Sequence, residues 1–196
     1  MNNLFIPIIV PLIAGAVILI TPKALKGARE FIALAGSLMA MVHSGSIFFS
    51  GKELTDSWEW FSIQGFSFSA DLRADSLSGL ILFAASVFAV LIVIYSIGYM
   101  KGKSRLNEYY AYILLTAGGA AAAILADNLI FFLIGWEIVS ILLFFLITIG
   151  GDDAREAAGK TFVIIGFSDC ALLLGIVLLW SIMGTLQMSR INGVGV

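Results

Sequence analysis

Six long apolar runs constrain this chain more than any other feature of its sequence. A run of about 20 apolar residues is long enough to cross the hydrocarbon core of a bilayer as a helix. The runs do not alternate between polar and apolar residues, which disfavours the strands of a membrane β-barrel. The sequence therefore predicts an all-α membrane protein of about six transmembrane helices, forming a single multi-span membrane domain over residues 1–196. The runs cover residues 4–20, 31–49, 77–100, 109–125, 128–149 and 154–183.

Composition excludes several other classes of protein. Apolar residues make up 60% of the chain and charged residues only 12%, with a mean hydropathy of +1.04. A soluble domain has about 25% charged residues, so a soluble globular enzyme, a disordered segment and a nucleic-acid binder are all excluded. The net charge of −2 gives no field that would attract a polyanion. One cysteine and one histidine exclude a disulfide framework, an iron–sulfur cluster and a histidine-rich metal site.

The first apolar run has an alternative interpretation as a secretory signal peptide. It lacks basic residues before the apolar stretch, and Thr21, Pro22 and Lys23 make a poor cleavage site after it. An uncleaved helix is therefore favoured.

The eleven lysine and arginine residues divide eight to three between the two sides of the predicted bundle. Because basic residues concentrate in cytoplasmic loops, this bias places the loops after the odd-numbered spans inside the cell. We expect a multi-pass protein of the cytoplasmic membrane with both termini on the extracytoplasmic side. The larger group is Lys23, Lys26, Arg29, Lys101, Lys103, Arg105, Arg155 and Lys160, and the smaller group is Lys52, Arg73 and Arg190.

Residues 50–75 form the one sizeable segment outside the predicted spans, and this segment is rich in aromatic residues. Alternation in residues 66–70 (FSFSA) and the turn-prone pair Gln64-Gly65 predict a short β-hairpin between the second and third helices. An aromatic belt at the membrane interface is an alternative that is compatible with the hairpin.

Four polar residues within the spans are candidates for function, because a charge at mid-bilayer costs about 2.5–3.5 kcal/mol on insertion scales. Glu137 is the strongest candidate, since it lies roughly 14 Å into the fifth span at about 1.5 Å per residue. No charged residue lies within one turn of it on the same helix, so its partner must come from another helix or from water. A carboxyl group whose partner changes can load and release a proton. The alternative is a neutral carboxyl group that hydrogen-bonds to a neighbouring helix.

The other three candidates are Lys160, Asp169 and His43. Lys160 either extends its amine to the cytoplasmic face or carries a proton. Asp169 lies deep in the sixth span, on the opposite helical face from Lys160, and either supports proton movement or joins helices. We expect His43 to hydrogen-bond between helices, with a proton relay as the alternative.

Small residues at 117–123 (AGGAAAA) predict close packing of the fourth span against its neighbours. Asp127 and Asn128 then leave room for only a tight turn into the fifth span. The fourth and fifth spans are therefore expected to be neighbours, with Glu137 facing the fourth span or the next helix of the bundle.

Several stretches, taken in order, resemble one family. They are 71–78 (DLRADSLS), 95–100 (YSIGYM), 127–129 (DNL), 136–137 (WE) and 157–162 (AAGKTF), with Asp169 beyond them. Together they resemble the antiporter-like, proton-translocating subunits of respiratory complex I, membrane-bound hydrogenases and Mrp cation/proton antiporters. The resemblance extends from about residue 65 to residue 180 and corresponds to the N-terminal portion of that fold.

The resemblance implies a fold of about fourteen helices with two inverted repeats, of which this sequence holds an incomplete first repeat. It implies that Glu137 is the key acid on the fifth helix and that it pairs with a lysine on a seventh helix, which this sequence lacks. Another chain is expected to supply the missing helices, or residue 196 is the end of a truncation. Lys160 and Asp169 are expected to support Glu137 in a Glu/Lys polar axis that carries protons or Na⁺.

The sequence has no Walker loop, Rossmann glycine pattern or Ser/His/Asp constellation. We therefore expect no cofactor on this chain, no metal site and no catalytic residue. The resemblance implies the role of a non-catalytic subunit of a hetero-oligomeric oxidoreductase complex, of NADH dehydrogenase or hydrogenase type. Iron–sulfur clusters or quinone would belong to partner subunits, some of them peripheral redox subunits, and the lipid bilayer would surround the chain. The alternatives are a structural or assembly subunit, a truncated fragment without its own ion path, and a small antiporter that works as a homo-oligomer.

Overall fold

A computed structural model describes residues 3–22, 25, 27–63 and 66–191, with backbone only for 60–63 and 66–68. Within these residues the chain is mostly helical and carries one two-stranded antiparallel sheet. The elements in chain order are α1 (Ile6–Ile20), α2 (Ala28–Phe49), β1 (Leu54–Ile63), β2 (Phe66–Ala74), α3 (Ser76–Tyr99), α4 (Leu106–Leu125), α5 (Leu129–Thr148), α6 (Asp152–Met183) and α7 (Met188–Ile191).

Five helices in the described part of the chain are long and apolar enough to cross a membrane, namely α2 to α6. The predicted first span is shorter than expected, because α1 has 15 residues and is about 22 Å long at 1.5 Å per residue. Pro7 lies in its first turn, and Thr21 has extended backbone because Pro22 follows it. All six predicted transmembrane helices occur as helices, and five of them have the length and apolar composition of a membrane span. The helix α1 alone is too short for a hydrocarbon core of about 30 Å.

The helix α4 occupies the centre of the bundle and packs on α1, α5, α3 and α2. Glycines allow these helices to approach closely. A Cβ atom at Gly118 would lie 2.6 Å from Leu12 Cγ of α1, and one at Gly135 of α5 would lie 2.8 Å from the backbone nitrogen of Ala123. The predicted close packing of residues 117–123 and the predicted adjacency of the fourth and fifth spans are thereby confirmed.

The predicted hairpin is confirmed and is longer than expected, with strands of 10 and 9 residues. Its register pairs Leu54 with Ala74 at the base, while the predicted turn residues Gln64 and Gly65 lie outside the described residues. The backbone nitrogen of Leu4 donates to Asp56 Oδ2 at 2.8 Å, which attaches β1 to the start of α1. The hairpin therefore covers one end of the bundle.

The turn between α4 and α5 lies between the hairpin and the segment around α7. On one side the backbone nitrogen of Asp127 donates to the carbonyl of Asp71 at 2.8 Å. On the other side Ser189 donates to both carboxylate oxygens of Asp127, from its backbone nitrogen at 2.9 Å and from its Oγ at 2.6 Å. Asp127 is buried. The carbonyl of Asp127 also accepts from the backbone nitrogen of Met188 at 2.7 Å. Through its backbone and its side chain, Asp127 thus joins the turn between α4 and α5 to the hairpin and to the segment around α7.

The helix α6 lies at the edge of the described bundle, where its main contact is with α5. It has 32 residues, and only 6% of its most apolar 18-residue stretch is buried against the rest of the described chain. Apolar side chains such as Val163, Phe167 and Ile182 are therefore exposed on it. Such a surface faces either lipid or another protein.

Candidate functional site

The start and the crossing point of α5 fix the position of Glu137. Asn128 begins the helix, because its side-chain oxygen accepts from the backbone nitrogen of Ile130 at 3.0 Å. Two turns further on, Gly135 brings α5 against α4. Glu137 follows this contact near the middle of α5. The close contact between α5 and α4 thus holds the carboxyl group near the middle of its span. This position agrees with the depth predicted from the sequence.

Glu137 lies beside a second acid, on the neighbouring helix α6. Its side chain is half-buried, as is that of Asp169. The indole Nε1 of Trp136 donates to Asp169 Oδ1 at 2.8 Å and so joins the two helices next to Glu137. The site therefore consists of two carboxyl groups and one indole donor, contributed by α5 and α6.

Lys160 does not belong to this pair of acids. Its Nζ donates to Glu156 Oε1 at 2.6 Å, one turn earlier on the same helix, and both side chains are more than 70% exposed. The prediction that Lys160 and Asp169 do not bond to each other agrees with this geometry, since each has a different partner. Within the described residues, no cationic side chain forms an ion pair with Glu137.

His43 lies apart from the two acids, on α2, which packs on α3, α1 and α4. Its Nδ1 is 2.9 Å from the carbonyl of Met39 on the same helix. The expected hydrogen bond between helices is therefore wrong for His43, because the carbonyl one turn back lies within reach of the ring. Its role as a relay stays a prediction.

Sequence reasoning missed Trp136 as the residue that joins α5 to α6. The bond spans 33 positions along the chain, and no local pattern pairs an indole with a distant carboxylate. One signal was available, since a buried or membrane-embedded indole N–H needs an acceptor and Asp169 is the acid of the next span. The serine pair Ser44 and Ser86, whose Oγ atoms are 2.6 Å apart between α2 and α3, was missed for the same reason.

The fold and the site together define a class of protein. Spans of membrane length carry two acids at depth, and ionisable groups in that position are typical of ion and proton pathways. The chain is therefore a multi-pass membrane protein in which two acidic side chains lie on adjacent spans.

Comparison with known proteins identifies the family within this class. A family model described as "NADH:quinone oxidoreductase/Mrp antiporter, TM" matches residues 126–194, which include Glu137, Lys160 and Asp169. A second, described as "NADH-Ubiquinone oxidoreductase (complex I), chain 5 N-terminus", matches residues 60–110. The chain belongs to the family of antiporter-like membrane subunits that includes those of complex I and of Mrp antiporters. The predicted resemblance is confirmed.

Relatives in this family come from bacteria and a chloroplast. NADH-quinone oxidoreductase subunit L of Escherichia coli is 32% identical over 95% of this chain and 32% of its own length. The chloroplastic NAD(P)H-quinone oxidoreductase subunit 5 of Physcomitrium patens is 29% identical over 93% and 27%. The Na(+)/H(+) antiporter subunit A1 of Staphylococcus aureus is 30% identical over 91% and 23%. The chain thus spans about a quarter to a third of the length of these relatives.

A solved structure has the same fold. It is that of the membrane-bound sulfane sulfur reductase, an archaeal respiratory membrane complex, which matches 96% of this chain and 29% of its own chain. The TM-score is 0.80 at 24% sequence identity. The arrangement of helices and hairpin described above therefore occurs within a larger membrane complex.

Proposed function

We propose that the chain is an ion-translocating subunit of a multisubunit, redox-driven membrane complex, and that Glu137 is its central proton-binding group. The observation that carries this proposal is the acidic site itself. Glu137 and Asp169 lie half-buried on adjacent spans, with no cation from the described residues paired to Glu137.

The site moves a proton by a change of electrostatic partner. A cation that approaches Glu137 favours its ionised form, and withdrawal of that cation favours the protonated form. Alternation between these states loads and releases a proton, or binds and releases Na⁺. Trp136 keeps Asp169 beside Glu137 throughout the cycle.

The cation comes from helices beyond those described, in another subunit or another part of the protein. The exposed surface of α6 gives such helices a place to pack beside the acids. Lys160 extends the polar axis towards the cytoplasmic end of α6, where it forms an ion pair with Glu156. The chain itself binds no redox group, and quinone or iron–sulfur chemistry in partner subunits, as in a hydrogenase or quinone reductase, drives the cycle. The complex lies in the cytoplasmic membrane, with the start of α1 on the extracytoplasmic side.

The test removes the proton-binding carboxyl group while keeping its shape. In the intact complex, Glu137→Gln should assemble normally, retain electron transfer and lose ion transport per electron. The matched control is Asp153→Asn, which removes an exposed acid from the first turn of α6 and should leave coupling unchanged. Undiminished transport per electron in assembled Glu137→Gln would refute the proposal.

A second candidate function is that of a structural or assembly subunit. The observation that favours it is the close crossing of α1, α4 and α5 at Gly118 and Gly119, which builds a compact packing block. In that case Glu137→Gln leaves transport unchanged, whereas a bulky residue at Gly118 prevents assembly. The same pair of variants therefore separates the two functions.

A further inference from the structure

A cavity of about 340 Å³ lies within the bundle, away from the acidic site. Its walls come mainly from α1, α2, α3 and α4, whereas Glu137 and Asp169 lie on α5 and α6. Pockets that hold small organic ligands have volumes of roughly 300–1,000 Å³. The cavity is therefore large enough for a ligand, and the ion pathway proposed above gives it no role.

The hydroxyl groups that line the cavity all have partners within the protein. Ser44 and Ser86 bond to each other at 2.6 Å, and each also lies within hydrogen-bond distance of a carbonyl on its own helix. Ser37 donates to Leu34 and Thr116 to Tyr112 in the same way. A buried water needs two to four polar partners, whereas apolar cavities of about 150 Å³ stay dry and bind hydrocarbon. The walls thus favour an apolar ligand over a chain of waters.

One polar group of the wall lacks its usual helical partner. Pro11 has no N–H, so it donates nothing to the carbonyl of Pro7, four residues earlier. A single carbonyl is too few polar groups to hold a water, for the reason just given. The part of the wall formed by Pro7 and Pro11 therefore also favours an apolar ligand.

The cavity opens to the side of the bundle at mid-membrane depth. Phe88 and Ile92 of α3 form part of its wall and are 65% and 46% exposed. On the other side of the opening stands Ala117, near the middle of α4. At one end of α3 a hydrogen bond of 2.8 Å between Ser96 and Tyr109 closes the gap between α3 and α4. Because α3 and α4 are both long and apolar enough to cross a membrane, an opening between their middles lies at the depth of the bilayer hydrocarbon.

We propose that this cavity binds one acyl chain of a membrane phospholipid, which enters between α3 and α4 while its head group stays at the interface. An empty cavity would forfeit the dispersion contacts of its walls, and an acyl chain restores them. Nothing in the wall requires a charged or hydrogen-bonding ligand. The lipid then acts as a structural component that fills the space between four helices.

The test uses a phosphatidylcholine that carries a diazirine near the end of one acyl chain. The protein is reconstituted in vesicles of phosphatidylethanolamine and phosphatidylglycerol that contain this lipid, illuminated, and mapped by peptide mass spectrometry. We expect label on Ala89 and Leu114, two cavity residues that are 9% and 0% exposed. Lipid that only surrounds the protein reaches exposed positions such as Leu91 but not these two.

Filling the cavity provides the control. Ala89→Phe places a ring in the cavity and should abolish the label on Leu114, whereas Ala84→Phe on the same helix, outside the cavity lining, should retain it. Ala120→Leu is the smaller replacement if Ala89→Phe does not fold. Label confined to exposed residues, or unchanged label on Leu114 in a folded filled variant, would overturn the proposal. So would reaction of Ala117→Cys, in a Cys170→Ser background, with a membrane-impermeant thiol reagent, since that result means that water fills the cavity.

Discussion

At the scale of single residues, hydrogen bonds from a few polar side chains determine where helices begin and which helices meet. Asp75 and Asn128 begin α3 and α5 by accepting backbone N–H groups, and Trp136 joins α5 to α6. The same residues stand next to the acidic site or to the hairpin. Substitutions that remove one bond at a time therefore separate the structural and functional contributions of each residue.

Trp136→Phe should weaken the contact between α5 and α6 without removing the aromatic ring that packs on Phe132. A hydrogen bond between membrane helices contributes about 1–2 kcal/mol in model peptides and less in whole proteins, so we expect a small loss of stability against sodium dodecyl sulfate. Ion transport per electron should fall less than in Glu137→Gln. Asp169→Asn keeps a carbonyl acceptor for the indole. It should therefore preserve stability, and a loss as large as that of Trp136→Phe would contradict this assignment.

The cap of α3 should make stability depend on pH. Hydrogen bonds from Ser78, first from its backbone and then from its side chain, lower the pKa of Asp75. A carboxyl group whose pKa is lower when folded contributes stability above its unfolded pKa of about 3.9, and this contribution is lost as the pH falls through the folded value. Asp75→Ala should therefore cost about 0.5–2 kcal/mol near neutral pH and less in acid.

Melting temperatures of the wild type and of Asp75→Ala, from about pH 7 down to about pH 3, check this dependence. Asp75→Asn serves as the control, because it keeps an acceptor oxygen without the charge. It should retain most of the stability and lose the pH dependence. A gap between wild type and Asp75→Ala that widens in acid would contradict the assigned sign.

At the scale of elements, the distances between helices are set by glycines at specific crossings. Gly15 and Gly118 bring α1 against α4, and Gly119 and Gly135 bring α4 against α5. Glycine in a helix otherwise costs roughly 0.5–1 kcal/mol relative to alanine. These positions hold glycine because a Cβ atom would collide with a neighbouring helix, which explains why two successive glycines occur in the middle of α4.

Gly135→Ala should destabilise the bundle, because its Cβ atom would meet the backbone of Ala123 at 2.8 Å and neither helix can yield locally. Overpacking of this kind costs about 1–3 kcal/mol. Gly98→Ala, on α3, is the matched control, since nothing lies within 4 Å of the added atom. The Gly98→Ala variant should be slightly more stable than the wild type, because alanine has a higher helix propensity than glycine. Unfolding in sodium dodecyl sulfate measures both, and equal stabilities would show that the crossing tolerates a methyl group.

At the scale of the whole molecule, long-range hydropathy predicted far more than local chemistry did. The predicted second, third and fifth spans differ from α2, α3 and α5 by three residues or fewer at either end, because about 20 apolar residues leave few alternatives to a membrane helix. Alternation around Phe66 predicted the hairpin. Bonds between distant residues, such as Trp136 with Asp169 and Asp127 with Ser189, could not be predicted, because a pair of polar residues in separate elements leaves no periodic signal.

Asp127→Ala should release the segment around α7 from the rest of the molecule. Ser189 would lose both of its bonds to the carboxylate, so amide hydrogens of residues 186–191 should exchange faster, while those in the middle of α4 should not change. Ser181→Ala, at the end of α6, is the control, because that hydroxyl donates only within its own helix, to Leu178. Unchanged exchange in Asp127→Ala would mean that the backbone bonds alone hold the segment.

The short helix α1 has a consequence for the lipid around the protein. Its 15 residues reach only about 22 Å, while Ile9, Ile13 and Ile20 are exposed along it. A helix that is shorter than the bilayer is thick creates a hydrophobic mismatch, which is relieved by local thinning of the bilayer or by association with another protein. The membrane beside α1 is accordingly either thinner than elsewhere or replaced by a partner. On this flank of the bundle, the length of α1 therefore sets a local requirement that either a thinner bilayer or a partner protein meets.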